Sequence, residues 1–94
     1  MSADHAEKTD RYERLLAEGL QVAEPRQAAD AALDDAADAC LEMAESYLED
    51  GRHFLAEDDP VNALAAFSYG HGWLDAGARF GLFELPDDGH SFAV

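Results

Sequence analysis

Lys8 is the only lysine in a chain of 94 residues that carries just six basic side chains. The cationic stripe that phosphate contacts require is missing, which disfavours direct binding of DNA or RNA. Cys40 is the single cysteine, so no disulfide and no thiolate metal cluster can form within one chain, and a reducing cytoplasm is the consistent setting. No stretch approaches the roughly 18 apolar residues of a membrane span, and residues 1–10 are polar, without the apolar centre of a secretory signal. The expectation is a protein that stays in the cytoplasm and away from membranes.

Against these scarcities stand 21 acidic residues, a formal net charge of -15 and a hydrophobic content of 48%. A chain of this length makes one domain, burying roughly 60–65% of its unfolded surface around a single core. Its self-repulsion is screened over about 10 Å at 0.1 M salt and about 3 Å at 1 M, so the surface suits a concentrated-salt cytoplasm whose solvent cations surround it. The other reading of such acidity is a nucleic-acid mimic or a binder of basic partners. Acids recur along the whole chain rather than in one block, which favours a solvated halophilic surface.

Periodicity predicts an all-α chain: a three-helix antiparallel bundle, up-down-up, over residues 1–85, with a short tail at 86–94. The first helix, about residues 4–23, places Tyr12, Leu15, Leu16, Gly19, Val22 and Ala23 on one face. Glu24-Pro25 ends it, and Pro25 is expected in the first turn of a second helix over 25–57. There Leu33, Ala36, Ala37, Cys40, Leu41, Met43, Ala44, Tyr47, Leu48, Gly51, Phe54 and Leu55 form one apolar stripe opposite Asp34, Asp35, Asp38, Glu42, Glu45 and Glu49. Asp59-Pro60 signals the start of a third helix, expected over 60–83, with Asp59 as N-cap. This helix is apolar around most of its circumference, so it belongs in the middle.

The third helix holds Gly70, Gly72, Gly77 and Gly81, although an internal glycine costs about 0.5–1 kcal/mol relative to alanine. Ala63, Ala66, Gly70, Leu74, Gly77 and Gly81 align, so another backbone can approach closely, either Cys40, Ala44, Tyr47 and Gly51 of the second helix or a second subunit. Beside that line run Tyr69, Trp73 and Phe80. These rings either seat the first helix through Tyr12, Leu15 and Leu16 or form a partner-binding surface, together with Gly70 and Gly77.

The run Ser46-Tyr47-Leu48-Glu49-Asp50-Gly51, then Phe54, then Asp59-Pro60 through Tyr69-Gly70-His71-Gly72-Trp73-Leu74-Asp75-Ala76, resembles a small archaeal domain-of-unknown-function family, number 357. Asp10-Arg11-Tyr12 is compatible with it, and the likeness spans most of residues 10–83. It implies a helical bundle in an archaeal cytosol with no activity assigned; the acidity adds a haloarchaeal source. The last two helices also resemble one tetratricopeptide hairpin, through Tyr47, Gly51, Phe54, Ala63, Phe67 and Gly70. Asp75 replaces its closing proline, and a single unit of a repeat that needs about three copies signifies shared hairpin packing.

The histidines and carboxylates form no catalytic or metal signature: there is no His-Glu-x-x-His, phosphate loop or nucleophile elbow. No catalytic residue, metal ligand set or cofactor is assigned. Asp50 and His53 share a carboxylate-x-x-His spacing but lie off the core stripe. His71, Asp75 and Arg79 follow at successive turns, as a salt-bridged seam or a polar site. The expectation is therefore a non-enzymatic interaction or assembly module that binds a protein partner or itself. The alternative is a small enzyme or ligand-binding protein using His71 and Asp75 near an inter-helix pocket.

Overall fold

The computed structural model describes residues 3–25 and 30–84. Three helices, α1 (Ala3–Val22), α2 (Ala31–Ala56) and α3 (Pro60–Arg79), form an all-α bundle in which α3 packs extensively on both of the others while α1 and α2 meet less. Neighbouring pairs fix the directions. Gly51 lies against Phe67 and Ala44 against Gly70, so α2 and α3 run antiparallel. Arg52 of α2 pairs with Glu13 of α1 at 2.9 Å.

Each boundary has a local cause. Asp30 caps α2, its side chain accepting from the Ala32 N–H at 2.9 Å. Asp59 caps α3: its carboxylate accepts the Asn62 N–H at 3.2 Å and the Asn62 side-chain amide at 2.7 Å, with Pro60 in the first turn. Between α2 and α3 the chain turns through Asp58, whose φ of 59° is left-handed. The Asp59 N–H reaches back to the Phe54 carbonyl at 2.8 Å and the Asp58 N–H to Leu55 at 3.1 Å, the paired bonds of a Schellman close.

Two expected helix bounds are corrected. Pro25 does not enter α2; with Glu24 it forms β1, which pairs antiparallel with β2 (Phe83–Glu84), Pro25 opposite Phe83. A two-residue edge pairing tolerates a residue that lacks an N–H, and the cap that starts α2 is supplied by Asp30. Nor does α3 reach Phe83. Gly81 adopts φ 75°, and the Leu82 and Gly81 N–H groups close on the Gly77 and Ala78 carbonyls at 2.9 and 3.1 Å. The chain reverses there, and the buried Phe83 ring folds back over Gly77. The tail expected at 86–94 lies outside the described residues.

The core consists of Leu16 from α1, Ala37, Cys40, Ala44 and Leu48 from α2, Ala63, Phe67 and Leu74 from α3, and Phe83. Leu16, Phe67 and Leu74 are wholly enclosed, each stabilising the fold by about 1.5–3 kcal/mol. Small residues make this possible. A Cβ at Gly70 would stand 2.6 Å from the Leu16 side chain and 3.2 Å from the Ala44 carbonyl oxygen, so α1 and α2 converge on α3 where it has least bulk. The expected stripe on α2 narrows to Ala37, Cys40, Ala44, Leu48 and Gly51, while Leu33, Met43 and Leu55 at its margins are exposed.

Candidate interaction face

With α1 and α2 drawn to the small-residue line and Phe67 and Leu74 enclosed beside it, three aromatic residues at or near the C-terminal half of α3 point the other way. Tyr69 is 64% exposed, Trp73 39% and Phe80 78%. Ala65, Tyr69, Gly72, Trp73, Ala76 and Phe80 recur at three- and four-residue steps and so share one face; Ala76 is half-buried and the others are exposed. Tyr69 is braced by Tyr47 of α2, their ring centroids 5.6 Å apart. Nothing lies within 4 Å of where a Gly72 side chain would begin, so that position opens directly to solvent.

The structure divides the residues grouped by sequence. Leu16, expected against Tyr69, Trp73 and Phe80, rests at Gly70. Gly70 and Gly77, expected beside the rings on the interaction surface, are occupied inside the chain, Gly70 by Leu16 and Tyr47 and Gly77 by the Phe83 ring. Gly72 takes their place on the open side. It stands three residues from Tyr69 and off the line through Ala63, Ala66, Gly70 and Gly77, which is the signal that separates it from the packing glycines.

His71, Asp75 and Arg79 also part company. The Arg79 Nε–H donates to both Asp75 carboxylate oxygens at 3.0 and 3.1 Å, an exposed pair one turn apart. His71 is buried, and burial lowers its pKa from the ordinary 6.5 while the nearby Asp75 charge opposes the shift. His53 instead meets Glu57, at 3.2 Å on the surface of α2. Cys40 is in the core, where burial pushes its thiol pKa up, away from the thiolate form a nucleophile or metal ligand needs.

Four surface concavities of about 220–480 Å³ lie along α1 or between α1 and its neighbours, and none of these four has His71 or Asp75 in its wall. Among the described residues no three His, Cys, Asp or Glu side chains converge as a metal site, and no helix is long and apolar enough to cross a membrane.

Fold and face together define a small acidic three-helix bundle whose middle helix leaves an aromatic side uncovered. The model of the family described as "Protein of unknown function (DUF357)" matches residues 11–83, and the chain belongs to that family. Comparison with curated proteins and with solved structures found no match.

Proposed function

We propose that this protein is a non-enzymatic interaction or assembly module of a halophilic archaeal cytoplasm, and that Tyr69, Trp73 and Phe80 are the residues through which it binds. The observation that carries the reading is the contrast between this face and the rest of the molecule. Residues 60–74 contain no Asp or Glu in a chain that has 21, and Tyr69 and Trp73 among them, with Phe80 beyond, are exposed. Tyr and Trp are frequent anchors of protein interfaces, and exposed apolar surface of this kind marks interaction sites. The carboxylates on the outer side of α2, all exposed, are the solvated surface that brine screens.

The enzyme or ligand-carrier alternative needs a cavity that gathers His71 and Asp75. His71 is instead packed among core residues and Asp75 is engaged with Arg79, which supports the interaction reading. The test is a photo-cross-linking residue placed at position 80 or, as control, at Glu49, in cells or in lysate held at molar salt. Specific adducts at 80 and none at 49 are expected. Equal yields, or none at 80, would count against the face.

A further inference from the structure

We propose that α1 is a salt-sensitive lid on the α2–α3 hairpin, swinging off about the β1–β2 clasp at low ionic strength and closing as salt rises. The inference concerns the seam between α1 and α2 and is independent of the aromatic side of α3.

Charge is divided unevenly among the helices. With His neutral, α1 carries five acidic and three basic side chains, net -2, and α2 seven and one, net -6, whereas Asp75 and Arg79 leave α3 neutral. Either outer helix packs on α3 without net repulsion, while α1 and α2 repel each other across their seam. The packing follows the charge, since α3 meets both helices extensively and α1 and α2 meet less. The seam stays open in three places. A concavity of about 380 Å³ lies between Ala17 and Leu20 of α1 and Leu41 and Leu48 of α2, with Glu45 in its wall. A second, of about 330 Å³, adjoins it at Ala17, Gln21 and Arg52 and is lined by Asp10 and Glu18. A third, of about 220 Å³, separates Ala6 and Thr9 from Leu55, Asp58 and Pro60.

The attachments of α1 are correspondingly slight. Where α2 and α3 interlock through Phe67 at Gly51 and Gly70 at Ala44, the buried hydrophobic side chain that α1 supplies among the described residues is Leu16. Thr9 is enclosed in the N-terminal half of α1, but its hydroxyl donates to the His5 carbonyl at 2.8 Å and so bonds its own helix. Arg52 reaches across the seam to Glu13 at 2.9 Å, an exposed pair of the kind that contributes little. At its other end α1 runs into β1, whose pairing with Phe83 and Glu84 pins that end and sets the pivot. Swinging off lifts Leu16 from Gly70 and parts Ala6 and Thr9 from Leu55 and Pro60. Charge favours that motion and apolar burial opposes it, so ionic strength sets the balance.

The experiment is hydrogen exchange of the purified full chain, read by mass spectrometry at about 0.1 M and about 1 M KCl, with α3 in each sample as the internal reference. A helix detached from its neighbours loses the packing that supplies most of its stability, so α1 amides exchange whenever the lid is open. At the lower salt α1 is expected to exchange faster than α3. Its exchange relative to α3 should slow roughly tenfold at the higher salt, the size expected for charges of -2 and -6 on helices about 10 Å apart as the screening length falls from about 10 to about 3 Å. Asp10→Asn with Glu18→Gln and Glu45→Gln removes three charges that line the seam and should protect α1 already at the lower salt. Asp35→Asn with Glu42→Gln and Asp50→Asn removes as many from α2, at positions that line none of these three concavities, and should do so less. All six positions are exposed, so the fold is kept in both variants. Equal protection of α1 and α3 at both salts, loss of protection in all three helices together, or identical behaviour of the two triple variants overturns the proposal.

Discussion

Adding one methyl group to a glycine should have opposite effects at two positions of this fold. At Gly51 a new Cβ would lie 2.2, 2.5 and 2.7 Å from three atoms of the Phe67 ring. That ring is fully enclosed and cannot swing away. Gly51→Ala gains about 0.5–1 kcal/mol of helix propensity but forces overpacking that costs about 1–3 kcal/mol, so a net loss of roughly 0.5–2 kcal/mol is expected. Gly72→Ala makes the same gain and meets nothing, so it stabilises by about 0.5–1 kcal/mol. For a domain of this size each kcal/mol moves Tm by about 4–8 °C. Thermal unfolding followed by circular dichroism, with both changes made in a Phe80→Glu background so that association does not enter, should move the two variants in opposite directions. Replacing the ring with Phe67→Leu should then turn Gly51→Ala neutral or stabilising, because the two sites are coupled through the clash. If Gly51→Ala stabilises as much as Gly72→Ala in the intact core, the packing of α2 on α3 is not as described.

Three further outcomes follow from other features. Asp58 occupies a left-handed conformation at φ 59°; Asp58→Gly should stabilise by about 1 kcal/mol, read as a higher denaturant midpoint at unchanged slope, and a lower midpoint would contradict the turn. Raising KCl from about 0.1 M to about 1 M shortens the screening length from about 10 to about 3 Å. Tm should therefore rise over that range by more in the wild type than in a variant with Asp38, Glu42, Glu45 and Glu49 changed to their amides; equal slopes would remove the electrostatic account. Burial holds His71 in its neutral form, below the ordinary 6.5. As pH falls through 6.5 the unfolded ring takes up a proton that the folded ring resists, so this contribution is fully present above 6.5 and is lost as pH falls toward the folded value. The difference in stability between wild type and His71→Gln should shrink on acidification, and an NMR titration of His71 with its midpoint above 6.5 would refute the burial.

Much of the fold was readable because two signals agreed wherever they coincided. Apolar spacing and the Asp59-Pro60 pair place α3's start, and Ala37, Cys40, Ala44, Leu48 and Gly51 repeat at intervals that only a helix brings to one side. The helix ends are less legible because two signals compete at each. Pro25 is compatible with a first helical turn, but Asp30, a better cap, stands five residues on, and proline also tolerates the edge pairing it makes with Phe83. The spacing that aligns Gly81 with Gly70 and Gly77 also leaves it just past the end of α3, where glycine is the usual left-handed stop. Phe83 then becomes the residue that fills Gly77, a contact across a chain reversal that no periodicity encodes.

The orientation of α3 was the harder problem, since a helix apolar on all sides carries no moment to say which side faces in. Residue size decides it. Ala63, Ala66, Gly70 and Gly77 turn toward neighbours whose side chains need the room, and Tyr69, Trp73 and Phe80 are thereby carried outward. Ordinarily a surface helix in so acidic a chain would place carboxylates there, as α2 does with Asp38, Glu42, Glu45 and Glu49. Exposure of these rings follows from packing, but the absence of acids beside them does not: Ala65 and Gly72 touch little and could be glutamate at no cost to the core. An outer side of α3 without a carboxylate over residues 60–74 is therefore a property the monomer does not require, and a surface kept apolar beyond what folding needs is explained by what it meets.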